Sequence, residues 1–244
     1  VGKARLREPK HIKGFPNDLA APKKSFSSKE IKTIRPLTDR QKLAFTGWKD
    51  GKNLILHGSA GTGKTMLAMY FALSAVLNIK EPQYDTVKII RSAVPVRNLG
   101  YLPGTEAEKT EVYEAPYREI CRQLFDAPTA YETLKRAGKI EFVPTSFIRG
   151  LNMDNSIVVV EEMQNMSIHE LDSIITRVGN DTMLIFSGDT NQSDFDGKFD
   201  KNGFKKFLTV LEKTGDFCMV EFGLEDVVRS GIVKRYLIAK HELS

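Results

Sequence analysis

Gly58-Ser59-Ala60-Gly61-Thr62-Gly63-Lys64-Thr65 is a complete G-x-x-x-x-G-K-[ST] phosphate loop. The glycines let successive backbone N–H groups turn inward around phosphate oxygens. Lys64 brings a point charge to the β- and γ-phosphates, and Thr65 offers a hydroxyl to Mg²⁺. The spacing points to ATP or another nucleoside triphosphate as ligand, with Mg²⁺ as its companion ion.

Holding phosphate is not hydrolysis, which also needs a carboxylate for the metal and a group that directs water. Ile157-Val158-Val159-Val160 runs straight into Glu161-Glu162-Met163-Gln164-Asn165. Glu161 is expected in the Mg²⁺ shell and Glu162 is expected to orient or deprotonate the attacking water. The bland alternative is an acidic pair that caps the next turn. A third segment, Ser187-Gly188-Asp189-Thr190-Asn191-Gln192, places Gln192 where it can sense a γ-phosphate or its attacking water, with Asp189 assisting the metal or the loop. Upstream, Gln41 can form a bidentate pair with adenine N6 and N7. It is equally suited to be the capping-box partner of Thr38.

These groups need a scaffold that brings distant segments to one edge. After residue 50, β-branched runs alternate with Ala-, Leu- and Met-rich stretches, the pattern of an α/β fold with a mainly parallel sheet and crossover helices. Strands are predicted near 53–57, 86–90, 140–143, 156–160, 183–187 and 218–222. Helices are predicted near 63–79, 113–125, 129–137, 167–178, 203–213 and 226–240, with an earlier one that Pro36-Leu37-Thr38-Asp39-Arg40-Gln41 precedes and that runs through Trp48. The stretch 91–112 is too long and irregular for an ordinary connection, which suggests a second ligand or a structural lid.

With 244 residues, 41% hydrophobic, the chain can bury one substantial α/β core but not two full ATPase lobes. No run approaches the ~18 apolar residues of a membrane span, and the start lacks the apolar stretch of a signal peptide, so a cytoplasmic protein is expected. Cys121 and Cys218 stand apart without metal-ligand spacing. The charge is uneven. Residues 1–36 hold ten Lys/Arg against Glu8, Asp18 and Glu30, so the arm carries +7 of a chain whose net charge is +5. With its prolines and serines it is expected to be an extended basic arm, with the ATPase domain at 37–244. The arm could touch nucleic acid, or dock on a neighbouring subunit.

Gly58–Thr65, Glu161–Asn165, Ser187–Asp194 and Asp226-Val227-Val228-Arg229-Ser230, in that order, resemble the PhoH-like, phosphate-starvation-type ATPases, in a compact form like those of large tailed phages. Leu99-Gly100-Tyr101-Leu102-Pro103-Gly104 with Glu108-Lys109, and Phe147-Ile148-Arg149-Gly150, belong to the same resemblance, which extends over about residues 36–240. It implies a RecA-like P-loop core related to superfamily-one helicases, ATP hydrolysis with Mg²⁺, RNA or single-stranded nucleic acid as partner, and a ring, expected to be hexameric. The family usually carries Asp-Glu where this chain has Glu161-Glu162. Glu is one methylene longer, so Mg²⁺ contact can run through water and turnover can be slow.

With one core per chain, transition-state charge is expected from Arg229 acting in trans, with Arg177 in reserve; a helix cap or surface ion pair is the alternative for both. Arg91, Ser92, Arg97, Tyr101 and Arg149 are the candidate grip on a single strand, expected to be salt-sensitive and sequence-tolerant. Two competing classes stay open. One is a small-molecule kinase. The other is an assembly module in which nucleotide holds the ring together and hydrolysis is incidental.

Overall fold

The computed structural model describes residues 26–78, 80, 82–92, 106–189 and 201–242. Among them, six strands form one sheet: β1 (Asn53–Gly58), β2 (Thr86–Arg91), β3 (Ile140–Pro144), β4 (Ser156–Glu161), β5 (Met183–Gly188) and β6 (Phe217–Phe222). Their order is β3-β2-β4-β5-β1-β6, and every pairing is parallel. The expected α/β core with a parallel sheet is therefore what forms. β4 is buried along its whole length, as its uninterrupted Ile157–Val160 run requires of a strand covered on both faces.

Helices cover the two faces. On one lie α1 (Asp39–Lys49), α2 (Lys64–Val76), α3 (Glu106–Phe125) and α4 (Ala130–Arg136), packed through Ala44, Leu67, Phe71, Tyr117, Cys121 and Leu134 onto Leu54, Leu56 and Val159. On the other, α5 (Ile168–Ile175) and α6 (Lys201–Thr214) bring Leu171, Ile174, Phe207 and Leu211 onto Ile55, Val158, Val160 and Phe186. Phe186 meets Phe207 edge-on at 5.8 Å, and full burial of a side chain this size contributes about 2 kcal/mol. Successive strand residues serve opposite cores, so a register slip of one residue would exchange the two faces.

Two helices start elsewhere than predicted. α3 begins at Glu106, not 113, because Glu106-Ala107-Glu108-Lys109 are strong helix formers and Pro116 is accommodated inside. The last helix, α7 (Gly231–Glu242), begins five residues late. Leu224–Asp226 forms a 3-10 turn in which Gly223 N–H donates to Asp226 Oδ2 at 3.0 Å, and the chain then crosses to the phosphate loop. Of the segment expected to be an arm, residues 26–36 run along the core: Phe26 contacts Phe125 at 4.7 Å and Ser28 N–H donates to the Leu77 carbonyl at 3.0 Å. Residues 1–25 lie outside the described residues. Among the described residues no helix is long and apolar enough to cross a membrane.

Candidate nucleotide site

All six strands point their carboxyl ends to one edge, and the site is assembled there. β1 delivers the phosphate loop and α2 carries it away, with its N-terminus beneath the loop. Gly58 (φ 108°) turns so tightly against β6 that a Cβ would lie 2.2 Å from the Phe222 carbonyl oxygen. Gly63 caps α2 in the left-handed conformation, which a side chain would strain. Lys64 Nζ donates to the carbonyls of Gly58 at 2.9 Å and Ser59 at 2.7 Å. Burial lowers the Lys64 pKa, while Asp189, Glu161 and Glu162 oppose that shift. The three carboxylates thus offset part of the desolvation of the buried cation.

β5 lies between β1 and β4, yet α2 and β4 meet across it. Thr65 Oγ1 donates to Glu161 Oε2 at 2.8 Å, which puts the sequence-predicted metal pair together. Glu161 is 3% exposed, and its Oε1 is buried without a hydrogen-bond partner. A hard cation fits this orphaned oxygen. Among the described residues no group of three His, Cys, Asp or Glu is placed to hold a metal ion, so Mg²⁺ would be held by one carboxylate and one hydroxyl, the rest of its shell being water and phosphate oxygens.

Burial is the main reason the Glu161 pKa is pushed up to about 7; hydrogen bonds from Thr65 and Ser187 pull it down and Glu162 adds to the rise. A carboxyl whose folded pKa exceeds its unfolded value binds its proton more tightly when folded. Its stabilising contribution is full below pH 4.5, declines as pH rises, and is lost above pH 7. Without metal and nucleotide, the protein should therefore lose about 3 kcal/mol of stability between pH 4 and pH 8 from this group alone. Glu161→Gln should abolish that loss in urea melts. Parallel pH profiles for the two proteins would sink the assignment.

Glu162 follows with a left-handed backbone, φ 53° and ψ 43°, a conformation costing on the order of 1 kcal/mol for a non-glycine residue. What holds it is Gln164, a residue to which sequence reasoning gave no role. Gln164 Nε2 donates to Glu162 Oε2 at 2.6 Å, and Gln164 Oε1 accepts from Asp189 N–H at 3.0 Å. Gly188 makes the approach possible, since a Cβ there would lie 2.5 Å from Gln164 Oε1. One amide thus ties the end of β4 to the end of β5. The available signal was a buried-type amide two residues after an acid, in a segment otherwise read for its charge.

Other candidates fall in different places. Arg91 ends β2 in register with Glu161, with its guanidinium 5.8 Å from the Tyr113 ring centroid. It stands beside the acidic pair, and Ser92 next to it is buried. The fully buried Tyr117 joins this group, its ionisation suppressed by burial first and by Glu161 next. Arg149 is exposed in the 3-10 turn Thr145–Gly150 after edge strand β3, together with Phe147, an exposed aromatic to which the sequence reading gave no contact role. Arg229 is exposed, but its stem lies over the loop of its own chain, with Cγ 3.0 Å from where a Gly61 Cβ would be. The preceding Val228 N–H donates to the Gly61 carbonyl at 3.1 Å. Arg177 follows α5 near Asn180, whose carbonyl accepts from Asn155 N–H ahead of β4, so it is at the opposite edge of the sheet. Gln192, Arg97 and Tyr101 lie outside the described residues.

A phosphate loop and a strand-end carboxylate pair, brought together on the carboxyl edge of a parallel sheet, define a P-loop nucleotide-binding core. The chain belongs to the PhoH-like family, whose model, described as PhoH-like protein, matches residues 33–240. It is 32% identical over 214 residues to a PhoH-like protein of Mycobacterium tuberculosis (strain ATCC 25618 / H37Rv), covering 87% of this chain and 59% of that one. To Protein PhoH of Escherichia coli (strain K12) it is 31% identical over 193 residues, covering 78% and 53%. The chain thus spans a little over half the length of these relatives. Among solved structures it is similar to the DUF1998 helicase MrfA bound to DNA, at a TM-score of 0.44 and 13% identity, covering 76% of this chain and 26% of that one. It is also similar to the Sulfolobus solfataricus SWI2/SNF2 ATPase core in complex with dsDNA, at 0.43 and 14%, covering 79% and 45%.

Proposed function

We propose that this chain is a cytoplasmic Mg²⁺-dependent ATP hydrolase whose turnover is coupled to binding of RNA or single-stranded DNA, for unwinding or translocation, and which works as a homo-oligomeric, hexameric ring. The observation that carries the hydrolase reading is the 2.8 Å hydrogen bond from Thr65 to Glu161, with Glu162 adjacent and fixed by Gln164 at 2.6 Å. Bound Mg²⁺ supplies charge neutralisation to the phosphates. Lys64 and the loop amides orient those phosphates, and Glu162 takes up the proton of the attacking water, with Gln192 as the γ-phosphate sensor. A fixed, water-directing carboxylate supports hydrolysis over transfer to a small-molecule acceptor.

Arg229 supplies positive charge, either to its own loop, against which its stem lies, or to a neighbour's site across the ring. Arg91, Arg149 and the aromatic Phe147 sit on the same sheet edge, on the flank away from the phosphate loop, and with Arg97 and Tyr101 form the proposed grip on the strand. The deciding experiment is steady-state ATP hydrolysis with and without single-stranded RNA and DNA, at two salt concentrations. Stimulation by a strand, weakened by salt, is the expected result. Tight ATP binding with neither turnover nor stimulation would move the protein to the class of nucleotide-dependent assembly modules.

A further inference from the structure

Gln41 is the residue the sequence offers for reading adenine, yet its side chain is only 4% exposed and its amide is engaged at both ends. Oε1 accepts from Leu37 N–H at 2.8 Å, and Nε2 donates to the Thr62 carbonyl at 3.0 Å. The orientation is not interchangeable. A flipped amide would set its NH₂ against the Leu37 N–H and its oxygen against the Thr62 carbonyl, two repulsive contacts in place of two hydrogen bonds. Thr38 Oγ1 accepts the Gln41 backbone N–H at 3.2 Å, so the turn carrying the amide is itself fixed. Bidentate pairing with a purine needs an amide donor and acceptor presented together on one free edge, and a side chain this buried presents no such edge.

The partner of Nε2 is informative. Thr62 belongs to the phosphate loop, and the carbonyl just before it, that of Gly61, accepts from Val228 N–H at 3.1 Å. Two consecutive loop carbonyls are therefore pinned by segments from opposite ends of the domain. Between those segments opens a cleft of about 630 Å³, lined by Leu37, Thr38, Arg40, Leu43, Glu225 and Asp226 among others. Leu37 is 73% and Leu43 40% exposed, an apolar surface suited to the flat face of a base. The polar edge groups in this lining are partly committed elsewhere: Asp226 Oδ2 accepts from Gly223 N–H at 3.0 Å, and Asp39 pairs with Lys42 at 2.8 Å. Contact with a base through its face, unlike contact with its edge, tolerates different bases.

We propose that Gln41 is a positioning residue of the phosphate loop and not a base reader. The nucleobase lies in the adjoining cleft against Leu37 and Leu43, so the chain takes purine nucleoside triphosphates with little discrimination between adenine and guanine. This inference rests on the nucleotide-binding reading above and deepens it.

The test is equilibrium binding of ATP, GTP and inorganic tripolyphosphate, each with Mg²⁺, to the full chain and to Gln41→Ala. ATP and GTP should bind the unsubstituted protein within about threefold of each other. Gln41→Ala should weaken all three ligands, including the one without a base, by a common factor of about ten, the scale of one lost buried amide contact. The ATP-to-GTP ratio should not move. A preference for ATP above tenfold that disappears in Gln41→Ala, with tripolyphosphate binding unchanged, would overturn the proposal. Should the variant not fold, the ATP-to-GTP ratio of the unsubstituted protein decides alone. Binding of all three ligands without hydrolysis counts against the hydrolase reading only and leaves the ratio decisive; binding of none removes both.

Discussion

Lys64→Ala should weaken ATP and ADP binding by about tenfold to a hundredfold and take turnover below detection. The ammonium sits in a mostly buried site, donating to two loop carbonyls at 2.7 and 2.9 Å, where three nearby carboxylates oppose the effect of burial on its charge. Phosphate oxygens compete for the same three protons. A charge-assisted hydrogen bond contributes about 1.5–3 kcal/mol, more than a neutral one, and tenfold in affinity corresponds to about 1.4 kcal/mol. Position 64 opens α2, where alanine is the best helix former, so the fold should survive. Calorimetric titration with Mg²⁺ and ADP checks the binding, and a far-ultraviolet dichroism spectrum checks the helix. Unchanged affinity in a folded variant would mean that phosphate is held somewhere other than this loop.

Glu162→Gln should leave ATP affinity within about twofold and lower turnover by at least about a hundredfold, the lower end of what a positioned general base contributes. The amide is isosteric with the carboxylate and keeps an oxygen to accept from Gln164 Nε2, a bond of 2.6 Å in the native chain. Geometry is therefore retained, and only the capacity to take a proton is removed. Gln164→Ala makes the complementary change: the carboxylate stays but loses its tether to β5, and turnover should fall by about tenfold, between the native chain and Glu162→Gln. Single-turnover kinetics with pre-bound ATP separate both variants from any defect in binding. Full turnover in Glu162→Gln would relocate the base, with Asp189, whose N–H already meets Gln164 Oε1, the next group to substitute.

The sheet was legible because its strands announce themselves locally. Ile157–Val160 is β-branched throughout and belongs to a strand buried from end to end, and Asn53–His57 leads directly into a loop whose spacing leaves little freedom. The Thr65–Glu161 pair followed from chemistry, since a phosphate loop with Mg²⁺ needs a carboxylate and the acidic strand end supplied one. What escaped is of another kind. Gln41 satisfied two local readings equally, yet of the expected capping box only the Thr38 half forms, and the Gln41 amide goes instead to Leu37 N–H and, twenty-one residues away, to the Thr62 carbonyl. Gln164 and Gly188 matter through the distance between two strand ends, a quantity no single segment contains. The late start of α7 has partly the same origin, because Val227, Val228 and Ser230 are weak helix formers and the segment gains a tertiary hydrogen bond to Gly61 by staying unwound.

The pinning of Gly61 and Thr62 by Val228 and Gln41 has a mechanical meaning. At Gly61 and Thr62 the loop rests on two bearings, one belonging to α1 and the other to the lead-in of α7, while its Ser59 N–H is held by the Phe222 carbonyl of β6 at 2.8 Å. Each bearing is a single hydrogen bond of 3.1 Å or less, and a hydrogen bond weakens steeply when stretched or bent. A load that displaces either helix by a fraction of an ångström therefore reaches the backbone around the phosphates before the strands of the core are disturbed. A push on the loop travels outward along these two bearings as well as into β6.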